Sequence, residues 1–252
     1  MERLYCTKKT PVYDKSGRLM ARRWIDAGDV CLVGDRGPSG LTAVEYPVKN
    51  GTYSAFLKDT LSFEKGFKVY NQNDYGYVPY PAAGYVNATV KSGGCGVVAM
   101  SMVIENLVLG MLAPEACAAA ALSCGARVSG GTDMSVLARE MAKRYPLTFY
   151  TSYSISETAK ALEKGGAVIV NTGGDRGGYK GIFSSGGHYI TLLEYKGGIF
   201  TAADPGLYAG KYNVSWRLGV KVENGLLKCR GQDLVSDSSN RYPPFYIFGR
   251  KS

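Results

Sequence analysis

The chain has 252 residues, which is enough for one large domain or two unequal ones, and 45% of them are hydrophobic, so a disordered protein is excluded. The 33 glycines and 19 tyrosines are typical of strands and turns. The net charge of +9 favours a polyanionic neighbour such as nucleic acid, anionic lipid or an acidic cell-wall polymer, but charge alone does not choose among them.

Targeting and redox signals are weak. Residues 1–9 lack the apolar run of a signal peptide, and the chain contains no apolar stretch of membrane-spanning length. We therefore expect synthesis in the cytoplasm without a signal peptide, and no membrane span. The six cysteines are scattered and form no C-x-x-C element, so we expect mostly free thiols and no metal site.

Short apolar runs separated by turn signals fill residues 1–62. Asn50-Gly51, between two of these runs, is a strong hairpin signal, and about five short strands suit a small barrel. The segment resembles a bacterial SH3-like domain, and the motifs that carry the resemblance are Pro11-Val12-Tyr13-Asp14, Ala27-Gly28-Asp29-Val30 and the hairpin Val44–Val48 with Tyr53–Phe56. We predict a first domain over residues 1–62, a small SH3-like barrel whose candidate role is to bind the cell wall.

Helical patterns alternate with strands from Phe63 onward, and a second domain is predicted over residues 63–252. The predicted helices are 97–111, 114–123, 132–144 and 154–164, and the predicted strands are 148–151, 167–171, 188–195, 199–203 and 245–248. Residues 233–240 have the composition of a polar loop. Helices followed by a mostly antiparallel sheet indicate the α+β class.

His188 is the only histidine in the chain, so any imidazole base must come from it. A lone histidine is most often a surface or core residue. His188, however, follows Ser184-Ser185-Gly186-Gly187 and opens a predicted strand, a position that active sites favour.

Cys95 lies between Gly94 and Gly96 at the start of the longest apolar helix. The helix N-terminus would stabilise a thiolate there, and the glycines would let a substrate backbone come close. The alternative is a buried cysteine behind a tight turn.

Two further residues would complete a thiol acyl-transfer site. Gln72 precedes the cysteine, and its amide could donate a hydrogen bond to a developing oxyanion. Asp204 ends the strand after the one that His188 opens, so hairpin pairing would bring its carboxylate near the imidazole.

The order Gln72, Cys95, His188, Asp204 resembles the C39-like group of papain-like cysteine peptidases over roughly Phe67 to Asp204. The resemblance implies a papain-like fold in which Cys95 is the nucleophile, His188 the base, Asp204 the orienting residue and Gln72 the oxyanion-hole donor. One departure is Val97-Val98-Ala99, where such sequences often have Pro-Thr or Pro-Ser. A second is the Gly-rich loop 173–187, either a lid or a plain insertion.

Substrate contacts are predicted at Gly94, Gly96, Gly187 and Tyr77. Tyr77 belongs to a Tyr-rich stretch that would either floor a cleft or simply pack.

The function predicted from these features is cysteine-dependent hydrolysis of amide bonds in bacterial peptidoglycan, as by a phage endolysin or a Gram-positive wall hydrolase acting at the wall after release. A peptidase for protein or leader-peptide substrates and a non-catalytic wall-binding protein are the alternatives. The expected partners are a peptidoglycan or peptide substrate and an anionic wall polymer, with no nucleic acid and no cofactor.

Overall fold

The computed structural model describes residues 1–49 and 51–251. The chain forms two compact units. One consists of residues 1–68 with 104–111, and the other of residues 69–103 with 112–252. The α+β class is confirmed, because an all-β N-terminal sheet is followed by helices and a second antiparallel sheet. No helix in the described ranges is long and apolar enough to cross a membrane.

The N-terminal unit is built on a seven-stranded antiparallel sheet with the strand order β3-β2-β6-β5-β4-β1-β7. Its strands are β1 (Glu2–Cys6), β2 (Thr10–Tyr13), β3 (Leu19–Ile25), β4 (Val30–Arg36), β5 (Thr42–Val48), β6 (Gly51–Leu57) and β7 (Phe63–Glu64). Alternate side chains face a core that includes Val12, Cys31, Val44 and Leu57. Strands β5 and β6 pair as the hairpin signal predicts, whereas Asn50 itself lies outside the described residues.

The helices of the chain are α1 (Val90–Gly93), α2 (Cys95–Leu107), α3 (Pro114–Ser123), α4 (Met134–Arg144), α5 (Ile155–Glu163) and α6 (Gly231–Ser238). Short 3-10 helices cover Gln72–Tyr75 and Ser215–Arg217. Asp133 and Ser154 cap α4 and α5 through their side-chain oxygens, which explains where both helices begin. Val97, Val98 and Ala99 in the first turns of α2 are fully buried, so the departure from Pro-Thr or Pro-Ser places packing residues there.

The second sheet has the strand order β10-β16-β11-β12-β13-β15-β14, and every pairing is antiparallel. Its strands are β10 (Leu147–Ser152), β11 (Ala167–Thr172), β12 (His188–Lys196), β13 (Ile199–Ala203), β14 (Lys221–Glu223), β15 (Leu226–Arg230) and β16 (Phe245–Arg250). Two-residue strands, β8 (Arg127–Val128) and β9 (Gly131–Thr132), form a separate pair. Because β12 and β13 are antiparallel neighbours, the start of β12 and the end of β13 lie side by side at the same end of the sheet.

The prediction of a loop over residues 233–240 is wrong, since most of the segment is helix α6. Its buried face carries the polar residue Asp237 beside Leu234, so it lacks the apolar periodicity of a helix. Asp237 accepts hydrogen bonds from the backbone N–H groups of Ile182 and Phe183 and from the Tyr179 hydroxyl. These bonds attach α6 to the loop 173–187, the segment that leads into His188.

We expect Asp237→Ala to lower the free energy of unfolding by about 3 kcal/mol, because the buried N–H group of Phe183 and the partly buried one of Ile182 would lose a charged acceptor. Gln232→Ala, at an exposed position of the same helix, should change it by no more than about 0.5 kcal/mol. Urea unfolding followed by circular dichroism measures both values. Equal effects of the two substitutions would show that Asp237 does not anchor the loop.

Candidate active site

Cys95 is the first residue of α2, and the carbonyl of Gly94 accepts the first hydrogen bond of that helix from Val98 N. The thiol therefore sits where the unpaired N–H groups and the positive end of the helix dipole favour a negative charge. Cys95 is half-buried.

The pKa of the Cys95 thiol is lowered from its ordinary value. Burial raises this pKa, but a hydrogen bond and the charge of His188 lower it, as do backbone N–H groups of Tyr189 and Gly96. The lowering contributions outweigh burial, so the site favours the thiolate, which is the nucleophilic form of cysteine.

His188 opens β12 and Asp204 follows the last residue of β13, so the antiparallel pairing brings the two side chains together. His188 Nε2 donates to Asp204 Oδ1 over 2.7 Å, and both residues are buried. Since Nε2 is held by the carboxylate, Nδ1 is the ring nitrogen left for the hydrogen bond with Cys95. Burial lowers the pKa of His188, but Asp204 and Cys95 raise it to about 9.

The Asp204 carboxylate has other partners besides the imidazole of His188. Oδ1 also accepts from the backbone N–H of Gly206 at 2.8 Å, and Oδ2 accepts from Lys211 Nζ at 2.6 Å and from the Tyr212 hydroxyl at 2.7 Å. Burial raises the pKa of Asp204, but His188 and Lys211 hold it well below its usual range. Sequence reasoning missed Lys211 and Tyr212, because no short motif joins them to the carboxylate.

Gln72 begins the first 3-10 helix, and its backbone N–H donates to the carbonyl of Pro205, next to Asp204. Its side-chain Nε2 donates to the carbonyl of Lys91 in α1, the helix immediately before Cys95. The structure thus connects Gln72 both to the turn that follows Asp204 and to the segment that leads into Cys95.

The three glycines predicted to contact substrate are closely packed, whereas Tyr77 is mostly exposed. A Cβ on Gly94 would lie 2.6 Å from Val90 Cγ1, and one on Gly96 would lie 2.7 Å from Thr132 Cβ, so neither position has room for a side chain. A Cβ on Gly187 would meet the guanidinium of Arg241 at 2.6 Å. Tyr77 is 70% exposed, and its hydroxyl donates to Glu115 on α3.

The cysteines differ in what surrounds them, and all six are free thiols. Burial raises the pKa of the thiols of Cys6, Cys31, Cys117 and Cys229. Cys124, at the end of α3, is half-buried like Cys95. Within the described ranges no group of His, Cys, Asp and Glu side chains could hold a metal ion.

Comparison with known proteins identifies one family. The model of the Peptidase_C39 like family matches residues 64–222, a span that contains Gln72, Cys95, His188 and Asp204. No curated protein and no solved structure matches the chain.

The lowered thiol pKa predicts selective alkylation. At pH 7 we expect iodoacetamide to modify Cys95 before the other five cysteines, and His188→Ala to slow that reaction about tenfold, because the substitution removes the hydrogen bond and the charge that favour the thiolate. Mass spectrometry of the tryptic peptides measures each cysteine separately, with Cys124 as the accessible control. Equal rates at Cys95 and Cys124 would contradict a stabilised thiolate.

Proposed function

Because the chain belongs to the Peptidase_C39 like family and is therefore a cysteine peptidase by family, we propose that Cys95 is its nucleophile and that it hydrolyses amide bonds of bacterial peptidoglycan. The observation that carries the catalytic part is the buried hydrogen bond between His188 and Asp204, with the second imidazole nitrogen on Cys95.

In this mechanism the Cys95 thiolate attacks the carbonyl carbon of the scissile amide. The C–S bond forms as the carbonyl π electrons move onto oxygen, and the backbone N–H of Cys95 and the side chain of Gln72 stabilise that oxyanion. One N–H of Gln72 Nε2 is used by the Lys91 carbonyl, which leaves the second for the oxyanion.

Collapse of the tetrahedral intermediate breaks the C–N bond, and His188 gives its Nδ1 proton to the leaving amine. Neutral His188 then removes a proton from water, which attacks the thioester and releases the carboxylic acid product. Asp204 keeps the imidazole in one orientation and stabilises its protonated form throughout.

The proposed substrate is supported by the charge and surface of the N-terminal unit. Cationic side chains lie over aromatic rings there, among them Lys9 over Trp24 at 3.6 Å, Arg23 over Tyr53 at 4.0 Å and Lys58 over Tyr13 at 4.5 Å. Cations suit the phosphates of wall polymers, and the exposed ring of Trp24 suits a sugar face. We propose that residues 1–62 form an SH3-like module that binds the wall.

The catalytic proposal predicts that the wild-type protein clears suspensions of purified Gram-positive cell walls and that Cys95→Ala does not. His188→Ala should be nearly inactive because the chain has no other imidazole, and Asp204→Asn should keep more activity because its role is orientation. Turbidity loss gives the rate, and mass spectrometry of the soluble products identifies the bond from the newly freed ends.

Full activity of Cys95→Ala would exclude the thiolate mechanism. Failure of the wild type to clear walls, with Cys95 still selectively alkylated, would instead favour a protein or leader-peptide substrate. If the wild type and the variants all bind walls and none of them clears the suspension, a non-catalytic wall-binding protein would be favoured.

The wall-binding proposal is best tested by substitution. Residues 104–111 belong to the same compact unit as residues 1–68. A chain that starts at Phe63 would therefore leave residues 104–111 without most of that unit. We expect Lys9→Gln/Lys58→Gln with Trp24→Ala to weaken sedimentation with walls about tenfold. Lys160→Gln/Lys164→Gln removes the same charge from exposed positions around α5 and should leave sedimentation unchanged. Equal losses would assign wall affinity to net charge alone.

A further inference from the structure

Lys211 is a buried cation that the catalytic proposal does not use. Its side chain is 6% exposed, and Nζ lies 2.6 Å from Asp204 Oδ2 and 3.2 Å from the Gly206 carbonyl oxygen. A buried ammonium is costly unless it is paired and hydrogen-bonded, and here the pairing is with the same carboxylate that holds His188.

The backbone around Lys211 is fixed by other polar contacts. Arg217, itself buried, donates from Nη1 to the Lys211 carbonyl at 3.0 Å and from Nε to the Gly181 carbonyl at 3.2 Å. The Tyr212 hydroxyl shares Asp204 Oδ2 with the ammonium. Lys211 is thus held at its backbone carbonyl by Arg217 and at its ammonium group by Asp204.

We propose that Lys211 is a positioning residue that neutralises the Asp204 carboxylate, so that Cys95, His188, Asp204 and Lys211 together carry no net charge in the thiolate–imidazolium form, and that it thereby sets the pH range of activity. This inference rests on the proposed function, because it concerns the same site. With Lys211 the charges are negative on Cys95, positive on His188, negative on Asp204 and positive on Lys211. Without it, Cys95, His188 and Asp204 together carry one net negative charge.

The other titratable and charged groups around this pair come from several elements. They are His188 on β12, Cys95 on α2, Tyr212 and Arg217 from the segment after β13, and Cys229 on β15, which faces Tyr212. The pKa of the Tyr212 hydroxyl is raised, by burial first and then by Asp204. The pKa of the Cys229 thiol is raised to about 12, so both groups are neutral near pH 7.

The sign of the effect follows from electrostatics. Removing a positive charge favours the protonated form of every nearby group, so the pKa values of His188 and Cys95 both rise when Lys211 loses its charge. The whole bell-shaped pH profile of activity should therefore move to higher pH. A purely structural role for Lys211 would lower activity at every pH and leave both limbs in place.

His188 gives the direct measurement, since a single histidine yields a single set of imidazole signals. NMR titration of those signals in the full chain should give a His188 pKa about 1 unit higher in Lys211→Met than in the wild type. Lys211→Arg keeps the charge and should return the wild-type pKa. Tyr212→Phe removes a donor from the same oxygen without changing charge and should shift the pKa by less than half as much.

An unchanged or lowered His188 pKa in folded Lys211→Met would overturn the inference. If Lys211→Met does not fold, Asp204→Asn/Lys211→Met compared with Asp204→Asn gives the same charge difference. We then expect a His188 pKa about 1 unit higher in the double variant, and equal values overturn the inference. The titration needs no substrate. An inactive wild type would therefore refute the proposed hydrolysis, whereas the comparison of His188 pKa values would still test the role of Lys211.

Discussion

The geometry of the site depends on one buried carboxylate. Asp204 is 1% exposed and accepts hydrogen bonds from an imidazole, an ammonium, a hydroxyl and a backbone N–H. A buried anion left short of donors would be strongly destabilising, so the chain is constrained to deliver all four groups to one point. The turn that supplies Gly206 also accepts the backbone N–H of Gln72, through the carbonyl of Pro205.

Much of this could be predicted from sequence because the signals are local. A glycine-flanked cysteine at a helix start, a single histidine at a strand start and an aspartate at the next strand's end each depend on a few neighbouring residues. Short connections then make β12 and β13 adjacent, which is why the His188–Asp204 contact could be expected before any coordinates. The α+β class follows from the same order of elements.

Several features that sequence reasoning missed have partners distant in the chain or mostly exposed side chains. Asp237 is 55 residues from Ile182, and its burial on α6 replaces the apolar residue that would have marked a helix. Strands β3 and β14 stand at sheet edges and present mostly exposed side chains, so they lack the alternation by which half-buried strands are recognised. Lysine is usually a surface residue, so the sequence gives no sign that Lys211 is buried against Asp204.

The buried polar cluster is better explained by reactivity than by stability. Buried ion pairs contribute little net stability, since desolvation offsets most of the Coulomb attraction, and apolar side chains could fill the same space. An apolar residue could not, however, stabilise the imidazolium that forms in the proposed mechanism each time His188 takes a proton. Once Asp204 is required for that, its own charge needs a partner on the side away from His188. On the proposed mechanism, the alternating signs from Cys95 to Lys211 follow from placing proton transfer in a buried site.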